Sequence, residues 1–149
     1  MKKKFFNANI YRNDTASEIM VDNGRIIQIE TNLPKCVEEI DLQDKLVLPP
    51  YVDPHLHLDY VYTLSELGQE GAGSGTLFEA IELWPKFKET LTVESVRRLA
   101  MKGIKDEVSQ GVQHIRTHID VTDPNFTALK AMLEIKEDLK ETVDIQIVA

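Results

Sequence analysis

Residues 46–59 restrict what this chain can become more than any other stretch. An apolar run, Leu46-Val47-Leu48, passes through Pro49 and Pro50 into Tyr51-Val52-Asp53-Pro54-His55-Leu56-His57-Leu58-Asp59. Side chains two apart on an extended strand point to the same side. His55 and His57 therefore aim their imidazoles at one spot, as two ligands of one cation must. Asp53 and Asp59 share that face, where a carboxylate orients an imidazole or joins the coordination shell. A His-x-His pair on a surface strand arises easily by chance. This pair closes a hydrophobic strand and precedes a glycine-rich loop, which favours metal binding. Two ligands do not complete a site, because zinc takes three or four.

Past His57 the hydrophobic period changes. Residues 59–75 contain Gly68, Gly71, Gly73 and Gly75, and a loop this long in a compact domain is usually functional or disordered. The glycines do not form a phosphate loop, since no Gly-Lys-Ser/Thr accompanies them. Thr76-Leu77-Phe78-Glu79 is a capping box that starts a helix, which Pro85 is expected to kink or end. Thr92 caps the next helix, with Glu94 in its first turn. Val93, Val96, Ala100, Ile104 and Val108 recur at helical spacing, and Gly111 supplies the stop. Residues 112–120 form a second strand with His114, Arg116, His118 and Asp120 on one face. His118 and Asp120 lie nearest its carboxyl end. His114 reads as structural; His118 reads equally as a substrate-contacting pocket residue or a structural one. Asp123-Pro124 is an N-cap with proline at N1, opening a helix to about Lys140. Residues 144–149 form a third strand.

Strand, helix, strand, helix, strand demands a parallel sheet. With His-x-His on its first strand, the opening of a (β/α) barrel is expected rather than a dinucleotide-binding sheet. The glycine-rich loop then lies on the catalytic face of the barrel.

The first 48 residues read as short strands. Residues 18–21 and 25–29 flank Asp22-Asn23-Gly24, a strong hairpin signal. Residues 37–41 and 45–48 suggest another hairpin across Leu42-Gln43-Asp44. The meander suits half of a small β-sandwich with a scaffold role. Cys36, the one cysteine, has no basic or histidine neighbour in sequence and reads as inert.

The chain has 149 residues, with 17 basic and 25 acidic side chains and a net charge of −8. That balance argues against nucleic-acid and anionic-membrane partners. No apolar run approaches the roughly 20 residues of a membrane helix, and no signal-peptide core is present. One cysteine excludes an internal disulfide and a Cys-x-x-Cys metal pair. A cytoplasmic protein is expected.

Three stretches carry a resemblance. Residues 50–59 resemble the first barrel strand of the amidohydrolase superfamily. Residues 74–84 and 111–121, the latter continuing to 128–134, are similar to the bacterial cytosine deaminases of that superfamily. The resemblance implies a TIM-like (β/α)8 barrel preceded by part of a small β-sandwich, with residues 1–48 in the sandwich and 49–149 opening the barrel. It implies that His55 and His57 bind one divalent metal ion, zinc or iron, and that Leu77 helps hold the substrate. Two further metal ligands, a carboxylate acid/base and another histidine are expected from later strands. A barrel needs about 250 residues, so the chain is expected to be an amino-terminal fragment of a longer enzyme, without activity of its own and homo-oligomeric in its full-length form.

The activity implied is cytosine plus water to uracil plus ammonia. Water attacks a ring carbon bearing an amino group; a divalent metal lowers the water pKa toward about 7 and produces hydroxide. Neutral imidazoles bind the metal without cancelling its charge, and a carboxylate takes the proton. Residues 59–68 differ from the corresponding cytosine deaminase loop, and pocket loops set substrate choice. Isocytosine, creatinine, a pterin or a triazine is therefore the alternative nucleobase-like substrate. The non-enzymatic alternative is a small protein that associates through open sheet edges.

Overall fold

The computed structural model describes residues 1–66 and 76–149, without the side chains of Leu77 and Ala80. The chain divides into two compact units, Met1–Pro49 and Pro50–Ala149.

In the first unit, β1 (Lys2–Phe6), β3 (Glu18–Asp22), β4 (Arg25–Glu30) and β5 (Glu38–Asp41) form a sheet in the order β4-β3-β1-β5. Two short strands, β2 (Asn9–Ile10) and β6 (Leu46–Val47), pair in parallel. The β3–β4 hairpin turns at Asn23 and Gly24, with φ of 49° and 77°. Two consecutive positive φ values are what a type I′ turn requires. The second expected hairpin does not form: β5 pairs in parallel with β1, and β6 with β2. Its would-be turn is instead a bend at Gln43 and Asp44, both with positive φ. Hydrogen bonds from Leu42 N–H to Phe6 O and from Asp44 N–H to Asn7 O bind that bend to the corresponding bend after β1.

Ala8, Ile19, Met20 and Leu33 are the buried apolar residues of this unit. Lys4 is buried with them, and its Nζ lies 3.1 Å from Glu39 and 3.8 Å from Glu18. A buried lysine requires such partners. The hydrogen bond from Lys4 in turn holds the Glu39 carboxyl below its ordinary value. All six residues of β4 are exposed, among them Ile26, Ile27 and Ile29.

The second unit is α/β. Strands β7 (Tyr51–Leu56), β8 (Val112–His118) and β9 (Asp144–Val148) form a parallel sheet in that order. Between β7 and β8 come α1 (Thr63–Glu66), α2 (Leu77–Lys88) and α3 (Val93–Ser109); α4 (Thr127–Asp138) joins β8 to β9. Val112 and Ile115 of β8, with Ile119 just beyond it, pack with Ala100 and Ile104 of α3, Met132 and Ile135 of α4, and Ile145 of β9. Thr92 and Ser95 close a reciprocal capping box on α3. Leu99 and Gly103 join the buried stripe of that helix. A Cβ at Gly103 would stand 3.2 Å from Val61 Cγ1 and 3.3 Å from Leu58 Cδ2, so glycine lets the segment after β7 lie close against α3.

Two helix boundaries differ from the sequence expectation. Pro85 lies within α2, which continues to Lys88. The ring removes the N–H that would meet the Ile81 carbonyl, yet it does not end the helix. Helix α4 begins at Thr127, four residues beyond Asp123. The Asp123 carboxylate accepts the N–H groups of Asn125 and Thr127, each at 2.9 Å. It thereby closes a turn, and Phe126, with φ of 51°, precedes the helix. No described helix is long and apolar enough to cross a membrane.

Candidate metal centre

The irregular end of β7 delivers the histidine pair. Pairing with β8 shifts register between Asp53 and Leu56, and His57 follows the last strand residue. The His55 and His57 ring centroids lie 5.3 Å apart, edge to face. His118, the last residue of β8, stacks on His55 at 4.1 Å and lies 5.7 Å from His57. Parallel pairing of β7 with β8 brings these three imidazoles together at the carboxyl ends of adjacent strands.

Backbone contacts fix the surroundings. Asp53 Oδ1 accepts the His55 N–H at 2.9 Å, closing a short turn over Pro54. The buried Thr117 Oγ1 accepts the Leu58 N–H at 3.0 Å. Asp59 Oδ2 accepts the Asp120 N–H at 2.8 Å. Together these tie the segment carrying His57 to the end of β8.

An aromatic wall stands beside His57. Tyr60 stacks on it at 4.8 Å, and Trp84 of α2 packs on Tyr60 at 4.5 Å. Trp84 Nε1–H donates to Asp120 Oδ2 at 2.9 Å, and Lys88 Nζ donates to the same oxygen at 3.0 Å. Asp120 also accepts from the Thr122 N–H and hydroxyl. Burial raises the Asp120 carboxyl, but hydrogen bonds from Thr122, Trp84 and Lys88 outweigh it and hold the group well below the carboxylate range. Asp59 behaves oppositely: burial dominates, and its carboxyl lies above the ordinary value. His118 is lowered by burial first and by the neighbouring His55 and His57 second.

Three atoms here are buried and have no hydrogen-bond partner among the described residues: His57 Nδ1, His118 Nδ1 and Asp59 Oδ1. Buried polar atoms in a folded protein are nearly always satisfied. Clustered orphans on two imidazoles and a carboxylate suit a site completed by a ligand, and neutral imidazole nitrogen is a good donor to zinc or iron. Among the described residues, no group of three or more His, Cys, Asp or Glu side chains converges closely enough to hold a metal ion by itself.

No protein-family model matches the chain. It is 35% identical over 147 residues to N-isopropylammelide isopropyl amidohydrolase of Pseudomonas sp. strain ADP, an alignment covering 96% of this chain and 36% of that protein. The crystal structure of 5-methylcytosine deaminase from Klebsiella pneumoniae, liganded with 5-fluorocytosine, matches 98% of this chain with a TM-score of 0.81 and 38% identity, over 36% of its own length. The chain belongs to the amidohydrolase superfamily. N-isopropylammelide isopropylaminohydrolase from Burkholderia multivorans shares the fold at 23% identity, with a TM-score of 0.77 over all of this chain and 37% of that one. The chain thus spans little more than a third of the length of these relatives.

Within this amidohydrolase-superfamily chain, the residues singled out by sequence have distinct fates. His55, His57 and His118 are neighbours. His114 stands apart, with Nδ1 3.5 Å from Asp144 Oδ2 on the exposed face of the sheet. Asp120 clamps α2 to the end of β8. Leu77 opens α2, and its side chain lies outside the described residues, as does the glycine-rich stretch 67–75. Sequence reasoning missed Tyr60, Lys88 and Thr117. The contacts of Lys88 and Thr117 reach across 32 and 59 positions, and Tyr60 joins nearby His57 to Trp84, 24 positions on.

Proposed function

We propose that His55 and His57 hold one divalent cation at the mouth of a (β/α)8 barrel whose first three strands are β7, β8 and β9, with residues 1–48 contributing to a β-sandwich. On this reading the whole protein is a hydrolase of carbon–nitrogen bonds in cyclic amidines and converts cytosine, or its 5-methyl derivative, to the corresponding uracil and ammonia. The observation that carries the reading is the meeting of three imidazoles at the carboxyl ends of adjacent strands. The 38% identity to a 5-methylcytosine deaminase supports the substrate class.

Zinc or iron bound there supplies the Lewis acidity that makes water a nucleophile near neutral pH. The chain's own residues do the rest of the local work. His55 and His57 bind the ion. Tyr60, backed by Trp84, covers one face of the His57 ring. His118, kept neutral by burial, offers a ring nitrogen to the pyrimidine, and Leu77 lies at the turn that meets the substrate. The protein acts in the cytoplasm on a small molecule.

The 35% identity to an N-isopropylammelide hydrolase favours one second reading, loss of an alkylamine from such a ring. Two measurements test the pair. Zinc titration of the whole gene product should give one equivalent bound, lost in the His55→Ala/His57→Ala double variant. The whole gene product, supplied with zinc or iron, should release ammonia from cytosine or 5-methylcytosine faster than isopropylamine from N-isopropylammelide. The reverse preference selects the second reading, and a wild-type gene product that binds neither zinc nor iron removes both.

A further inference from the structure

Asp59 is the carboxylate closest to the proposed metal pair that the mechanism above leaves unused. Its side chain is wholly buried, 0% exposed, while His57 is 36% exposed. One oxygen is committed: Oδ2 accepts the Asp120 N–H at 2.8 Å. The other, Oδ1, has no hydrogen-bond partner and lies 3.7 Å from His57 Nδ1, itself buried and unsatisfied. Asp53, the other acidic residue of the strand, caps the His55 N–H. The two carboxylates that flank the pair therefore differ in task.

We infer that Asp59 is a positioning residue that selects the Nδ1–H tautomer of His57 and so leaves Nε2 as the nitrogen with a free lone pair. The chemistry is directional. An ionised carboxylate only accepts, so an imidazole facing it must present N–H. With the proton on Nδ1, the lone pair is on Nε2, on the part of the ring that reaches solvent. Anchoring through Oδ2 keeps the carboxylate from turning away, because rotation would strand the part-buried Asp120 amide. The gap of 3.7 Å exceeds a hydrogen bond, and a small rotation of the half-exposed imidazole closes it. Carboxylates behind metal-binding histidines fix ring orientation and tautomer in this way.

Asp59→Asn isolates the effect. The asparagine carbonyl still accepts the Asp120 N–H, but its NH2 then faces His57 Nδ1. A donor there demands an acceptor, which moves the proton to Nε2 and blocks that nitrogen as a ligand.

The inference rests on the metal reading only for its purpose, and the two fail separately. Long-range 1H–15N correlation spectra at about pH 8, above the ordinary range of imidazole titration, report each tautomer without metal. Wild-type His57 is expected as Nδ1–H. Asp59→Asn is expected as Nε2–H, with zinc affinity down about 10- to 100-fold. Wild-type His57 found as Nε2–H overturns the inference with no variant needed, even if Asp59→Asn does not fold. A folded Asp59→Asn that retains both tautomer and affinity also overturns it. A chain that binds no zinc but switches tautomer on substitution supports the inference and rejects the metal site.

Discussion

The Trp84 indole donates to the Asp120 carboxylate at 2.9 Å, joining the last turns of α2 to the end of β8. Thirty-six residues separate the pair in sequence. Through Tyr60, the same indole also backs the His57 ring. Trp84→Phe keeps the aromatic bulk and removes the donor. It is expected to lower stability by about 1 kcal/mol, read as a lower melting temperature, with a parallel change in the His57 ring environment by NMR.

Asp120 sets an acid limb. Its carboxyl is depressed in the folded chain, against about 3.9 when unfolded. Its contribution is therefore complete above the unfolded value and is lost as pH falls below about 4 toward the folded value. Melting temperatures measured from pH 7 to pH 3 should fall less steeply for Asp120→Asn than for wild type. At pH 7 the variant should be less stable by about 1–3 kcal/mol, because several donors lose a charged acceptor. Parallel acid limbs would remove Asp120 as the source.

Thr117 is fully buried and accepts the Leu58 N–H. Thr117→Val preserves the shape and strands that buried amide. The expected cost is about 1–3 kcal/mol by denaturant titration. Amide exchange at Leu58 should accelerate more than exchange in β9.

Gly103 faces Val61 and Leu58 at close range. Alanine gains about 1 kcal/mol of helix propensity, and half-buried Val61 yields by a few tenths of an ångström, so Gly103→Ala should be near neutral. Gly103→Leu cannot be accommodated and should cost about 1–3 kcal/mol or more. Equal melting temperatures for the two variants would show that α3 and the segment after β7 separate easily.

The four histidines should divide by position. His55→Ala and His57→Ala are each expected to weaken zinc binding by at least about tenfold. His114→Ala, toward the opposite end of β8 beside Asp144, should leave affinity within about twofold, since surface ion pairs of this kind contribute little. Calorimetric titration with zinc distinguishes them, and an equal loss at His114 contradicts the geometry.

Much of the local structure was legible because its causes are local. Asn23-Gly24 requires positive φ, and it makes the hairpin. Thr92 and Gly111 bracket α3 as their capping chemistry demands. The nearness of His55 and His57 follows from their spacing of two. What stayed hidden depends on partners distant in sequence. The pairing of β5 with β1 uses backbone groups that any residues would supply, so Gln43-Asp44 looked like a hairpin turn. Pro85 read as a kink or a stop, and α2 runs through it to Lys88. Asp123 spent its acceptors on a turn that Phe126 completes. His118 could be placed on a face by counting, but only the pairing of β7 with β8 laid it upon His55.

Strand β4 has a colloidal consequence. Ile26, Ile27 and Ile29 form a bare aliphatic ridge beside open backbone groups. At neutral pH the surplus of eight negative charges keeps copies apart. Near the isoelectric point of about 5.0 that mutual repulsion vanishes, and ridge meets ridge. Turbidity of the dissolved chain should therefore peak there and clear again on return to alkali.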